Sequence, residues 1–194
     1  MSVWILLLMT CTSVSQRAVA QSQDQLRETL DFLKLNLERH ASWKQGADAA
    51  DMAVSTSFEP VRFETCSIAW RTMGDFGPSN REHNPLSDFR MQTDVSVDLA
   101  SIDPAKTRTY IMEKLRERNV PWSLVLELGI RPRSPGFRLQ MTTSRDGRVT
   151  RSPRLETRQH ILVFNVADRQ IVKDISRAFA NGSNLCRTRT KRRL

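Results

Sequence analysis

The 194-residue chain is 39% hydrophobic and 26% charged, proportions that exclude wholesale disorder and suit one globular domain with ordered extensions. Its 30 Lys and Arg outnumber its 21 Asp and Glu, and the formal charge of +9 favours acidic partners or a strongly solvated basic surface. No apolar run is long enough for a membrane-crossing helix.

The run from Val3 to Met9 is a short apolar core, and Ala18-Val19-Ala20 is a small-x-small cleavage pattern before Gln21. Residues 1–20 therefore read as a signal peptide, and the mature chain as secreted or periplasmic, without a transmembrane segment. A lipid attachment at Cys11 is the competing reading, but Leu8-Met9-Thr10 is a poor match to the small residues it needs. Cleavage takes away Arg17 and no acid, lowering the formal charge from +9 to +8.

From Asp24 to His40 the spacing predicts a helix, with Leu26, Leu30, Leu33 and Leu37 on one stripe. Two heptads are too few for a coiled-coil seam, so packing on the domain is expected. The small residues from Ser42 to Ser57 read as a linker. From Val61 to Trp70, Cys66, Ile68 and Trp70 share one register and Val61 and Phe63 the other, which a bulge near Thr65 would reconcile. Gly74 to Pro85 reads as a loop. Met91, Thr93, Val95, Val97 and Leu99 then alternate with polar residues as a half-buried strand, and Asp103-Pro104 turns the chain.

Lys106 to Asn119 fits strand in its first half and helix in its second. Trp122, Leu124, Leu126 and Leu128 resume the alternation, and Phe137, Leu139 and Met141 form a further face after the turn at 131–136. Asp146-Gly147 signals a hairpin. His160 to Phe164 is a buried strand, and Asp168 is placed to cap a helix whose Ile171, Val172, Ile175, Ala178 and Phe179 make one apolar face. A basic tail follows from Arg187 to Leu194.

Five to seven strands in series, nearly all hairpin-connected and ending in one helix, predict an α+β fold with an antiparallel sheet. The expected form is a curved sheet or partly closed, pleckstrin-homology-like barrel capped by the C-terminal helix, with a further helix at the N-terminus. A generic α+β sandwich is the alternative. The corresponding units are a signal peptide (1–20), a helix and linker (21–57), one domain (58–186) and a basic tail (187–194). The mature chain keeps two cysteines, Cys66 and Cys186. Export favours a disulfide between them over two buried thiols, and zinc lacks a CxxC or a full ligand set.

Phe63, Cys66, Ile68 and Trp70 form an F-x-x-C-x-(I/L)-x-W strand, and the stretch from Val97 to Pro104 ends in a D-L-D-P-like turn. With Val163-Phe164, Ala178-Phe179 and Leu185-Cys186, residues 60–186 resemble an uncharacterised domain of exported bacterial proteins. The resemblance implies the fold and a shared role for both cysteines, and it implies no activity. Here Ile102 stands where Leu is usual, and Asn181-Gly182-Ser183-Asn184 is expected to interrupt the last helix.

No HExxH, GxSxG, Walker or GxGxxG pattern is present, and no catalytic residue, metal ligand set or cofactor is assigned. His83, with Asp75, Glu82 and Asp88, could form an acid–base or metal-assisted hydrolase site, against the plainer reading of a solvated loop. His160 reads as a core or edge histidine, and Trp70 and Trp122 as core. Charge is concentrated between 131 and 158, where eight Arg meet only Asp146 and Glu156. Arg138, Arg145, Arg148, Arg151, Arg154 and Arg158 are the candidate binding residues, because guanidinium groups pair bidentately with phosphate or carboxylate. The expected function is an exported, non-enzymatic binding domain. Its partner would be an anionic polymer, an anionic lipid surface or an acidic protein. Nucleic acid is disfavoured, since no aromatic residues interleave the arginines for base stacking.

Overall fold

The computed structural model describes residues 3–45, 52–78, 89–111, 123–145, 147–165 and 169–191. The fold is α+β, with antiparallel sheets, an N-terminal helix and a C-terminal helix. Helix α1 spans Val3–His40 and α2 spans Arg169–Lys191, so α2 runs on through the first residues of the basic tail. Asp168, expected as its cap, lies outside the described residues. In α1 the leucine stripe Leu26, Leu30, Leu33 and Leu37 is buried, while Leu35, off the stripe, is 62% exposed. Helix α2 buries Val172, Ile175, Phe179 and Cys186 and packs against α1.

The break expected at Asn181–Asn184 does not occur. Tertiary contacts hold this poor helical sequence in place, overriding its propensity. Asn181 Nδ2 donates to Thr29 Oγ1 of α1 at 3.1 Å, and Ser183 Oγ donates to the Ile102 carbonyl at 2.7 Å. Gly182 lets the elements approach closely, since a Cβ there would sit 3.3 Å from Leu99 Cδ1.

Among the described residues ten strands, where five to seven were expected, build two sheets in place of a single curved one. The larger runs β1 (Trp43–Gln45), β2 (Met52–Glu64), β3 (Ser67–Pro78), β4 (Phe89–Asp98), β7 (Phe137–Arg145) and β8 (Arg148–Arg151), with β9 (Leu155–Thr157) also paired to β7. The smaller runs β10 (Gln159–Asn165), β6 (Ser123–Gly129) and β5 (Arg108–Ile111). Every pairing is antiparallel, and among the described residues neither sheet closes into a barrel. The stretch read as a linker contains β1 and the start of β2. Gly74 to Pro78, read as loop, extends β3 because β2 and β4 pair along both its sides; residues 79–85 lie outside the described set.

The residues from Val61 to Trp70 form a hairpin in which Thr65 and Cys66 make the two-residue turn. Thr65 has a φ of 52°, which reverses the chain there. The bulge lies instead between Pro60 and Arg62. Proline has no N–H to give to a ladder, so the irregularity settles beside it. Leu99, past the end of β4, donates its N–H to the Cys66 carbonyl at 2.8 Å. In β4 itself Val95 and Val97 are buried, as the alternation predicts. Asp98 and Asp103 cap the short 3-10 turns that follow, each accepting a backbone N–H.

Strand β6 departs from simple alternation, because Leu124 to Ile130 are buried throughout, Glu127 included. The Glu127 carboxylate is met by Arg108, whose Nε and Nη2 donate at 3.0 and 3.2 Å. A paired charge can be tolerated where an unpaired one cannot. The two sheets enclose an aromatic core. Phe58 stacks on Trp70, and the His160 ring lies 5.3 Å from Trp70 and 5.4 Å from Phe137, centre to centre.

His160 Nε2 is buried without a hydrogen-bond partner among the described residues. Burial pushes the imidazole down from its ordinary range to about 4. As pH falls, the unfolded chain takes up this proton near pH 6.5, while the folded chain resists until about 4. The contribution is therefore complete above about pH 6.5 and is lost progressively below it, by up to about 3 kcal/mol at pH 4. A His160→Phe variant is expected to show a shallower loss of stability across this window in denaturant titrations. Identical slopes for variant and wild type would show that the imidazole contributes nothing.

Candidate basic groove on the large sheet

The site begins with strand alternation. Trp70, Val95 and Phe137 point into the core, so their neighbours Ala69 and Arg71, Asp94 and Ser96, and Arg138 and Gln140 point outward. Register then sets them in rows across the sheet: Ala69 beside Ser96 beside Arg138, and Arg71 beside Asp94 beside Gln140. Together with Val61 from the β2 bulge and Arg154 from the segment between β8 and β9, they line a groove of about 350 Å³.

The charges in the groove are unevenly paired. Arg71 donates from Nε to Asp94 Oδ1 at 2.7 Å, and its Nη1 lies 3.4 Å from Glu59 Oε2. The hydrogen bond to Asp94, reinforced by Glu59, holds the Arg71 pKa above its ordinary value. The other Asp94 oxygen accepts from Gln92 Nε2 at 3.1 Å. Glu156 is the cross-strand neighbour of Arg138, but its Oε1 accepts the Gly136 N–H at 2.7 Å. Gly136 is tightly enclosed here, since a Cβ would lie 2.5 Å from the Thr157 carbonyl oxygen. The acids near the groove thus have other partners. Among the described residues, Arg138 and Arg154 form no ion pair and no side-chain hydrogen bond.

The six arginines singled out in the sequence therefore do not form one continuous face. Arg138 and Arg154 line the groove. Arg151 lies on the same side of the sheet, opposite Thr142, and donates to Gln140 Oε1 at 2.9 Å. Arg145 and Arg148 are cross-strand neighbours at the hairpin tip, on the opposite side, because odd-numbered positions of β7 share the face of Phe137. Arg158 is a brace: its Nη1 donates to the Ser134 carbonyl at 2.6 Å and its Nη2 to the Arg131 carbonyl, fixing the turn after β6.

Residues not singled out in the sequence are Arg71, Asp94, Val61 and Ala69. The outward facing of Ala69, Arg71 and Asp94 is readable from the alternation around Trp70 and Val95, but their neighbours depend on pairing with β7, and the position of Val61 depends on the β2 bulge. Of the His83 group, Asp75 lies in β3 and is engaged by Arg90 Nε at 2.6 Å; His83, Glu82 and Asp88 lie outside the described residues. Among the described residues no group of three or more His, Cys, Asp or Glu is arranged to hold a metal ion, and no helix is long and apolar enough to cross a membrane.

Cys66, in the β2–β3 turn, and Cys186, on α2, are in disulfide geometry, with Cα atoms 5.6 Å apart. Compared with known proteins, the chain matches no family model, and no curated protein or solved structure is significantly similar to it.

Proposed function

We propose that this chain is an exported, non-enzymatic binding domain that presents its basic groove to an anionic partner. The carrying observation is that Arg138 and Arg154 flank a groove whose nearby acids already serve Arg71 and Gly136. Guanidinium groups held at a concave surface without counter-charges gain by taking a carboxylate or phosphate from outside. Export is supported by the signal-like residues 1–20 and by a cysteine pair in disulfide geometry, a bond that persists in oxidising compartments. Cleavage after Ala20 falls within α1 yet leaves the whole buried stripe, Leu26 to Leu37, in the mature chain. Amino-terminal sequencing of exported protein should begin at Gln21, and a lipid on Cys11 would overturn this.

Binding to a soluble polyanion is the direct test of the groove. The wild-type affinity should fall steeply as salt is raised, since exposed charges are screened over about 10 Å at 0.1 M. Arg138→Gln with Arg154→Gln should weaken binding by about tenfold or more, the effect of losing two charge-assisted contacts. The melting temperature should change little, because neither side chain supports the fold through a described partner. Unaltered binding in the double variant would rule the groove out.

A further inference from the structure

Resting on that reading of the groove, we infer that its ligand is an extended acidic peptide segment of a partner protein, with a carboxylate next to a small apolar side chain. The groove has more than positive charge. Val61, held out by the β2 bulge, is 56% exposed at its wall, and Ala69 provides a small apolar surface beside it. A large exposed aliphatic side chain beside two guanidinium groups that have no ion-pair partner among the described residues suits a ligand that is apolar and anionic on one face.

The lining also contains acceptors. Asp94, ion-paired with Arg71, stands on the groove wall beside the neutral polar groups of Gln140 and Ser96. A polyphosphate chain, charged at every unit, has no apolar group to set against Val61 and no N–H donor for these acceptors. A peptide offers backbone N–H donors to them while its own carboxylate reaches Arg138 and Arg154. Shape separates the peptide from a membrane. Lipid phosphates lie in a plane, and a recess of about 350 Å³ in a sheet face is at the small end of ligand pockets, sized for a side chain or two. Alternation along an extended peptide brings residues two apart to the groove together, so an acidic and an apolar side chain at positions i and i+2 can enter it side by side.

The test uses the full mature chain and probes of matched charge: a peptide alternating Glu-Glu and Val-Val pairs, so that Glu and Val alternate along each face, an oligoglutamate, a linear polyphosphate, and vesicles containing phosphatidylglycerol. The alternating peptide is expected to bind roughly tenfold tighter than oligoglutamate, as burial of one or two aliphatic side chains would give. Val61→Ser should reduce that preference towards unity, weakening the alternating peptide far more than oligoglutamate. Arg138→Gln with Arg154→Gln should weaken both. Polyphosphate or vesicles binding as tightly as the alternating peptide, and equally dependent on the two arginines, would overturn the peptide inference and leave the anion-binding reading standing. Failure of every probe to bind, or binding indifferent to the double variant, would overturn both.

Discussion

Replacing Cys66 and Cys186 together with Ala is expected to lower the melting temperature by roughly 5–15 °C, corresponding to a loss of about 2–5 kcal/mol. The two residues are 120 positions apart, so the bridge ties the β2–β3 turn to the far end of the fold and greatly restricts the unfolded chain. It also meets α2 on its buried face, since Cys186 is fully enclosed in the core. Reductant should lower the melting temperature of the wild type by a similar amount and leave the double variant unchanged. Equal melting of oxidised and reduced wild type would show that the bridge adds no stability. The Leu99 N–H bond to the Cys66 carbonyl does not need the sulfurs, so the local turn should survive and the loss should be felt mainly at the α2 contact.

Leu33→Ala is expected to destabilise the protein by about 2–5 kcal/mol, whereas Leu35→Ala should stay within about 0.5 kcal/mol of wild type. Both substitutions lie in α1 and change helix propensity alike, so the contrast isolates packing. Leu33 is completely buried in the common core, and Leu35 faces solvent. Removing the Leu33 side chain leaves a cavity that its neighbours fill only partly. Equal stabilities for the two variants, read from denaturant midpoints, would mean that α1 does not pack on the body of the protein.

The sequence by itself determined the elements whose signal is local. The four-three-four spacing of Leu26, Leu30, Leu33 and Leu37 specifies the buried stripe of α1, because helical geometry alone places those side chains together. The period of two in β4 and the hairpin that joins β7 to β8 are legible for the same reason. The apolar face of α2 was readable too, but its continuity was not. Gly182 and Ser183 oppose a helix on propensity, and contacts distant in sequence, to Thr29, Leu99 and Ile102, hold this stretch in one.

Tertiary structure alone decided the groove. That Arg138 faces outward follows from Phe137 and Leu139, but that it lies beside Ser96 and Ala69 depends on β7 pairing with β4 and β4 with β3. Likewise the run of arginines from 131 to 158 has one sign in the sequence and several roles in the fold. Arg158 braces a turn, Arg145 and Arg148 stand at a hairpin tip, and Arg138 and Arg154 line the recess. A side chain's charge is set by its chemistry, but whether that charge is met depends on which acids the folded chain brings to it. Here Glu156, the cross-strand neighbour of Arg138, is engaged by the backbone N–H of Gly136.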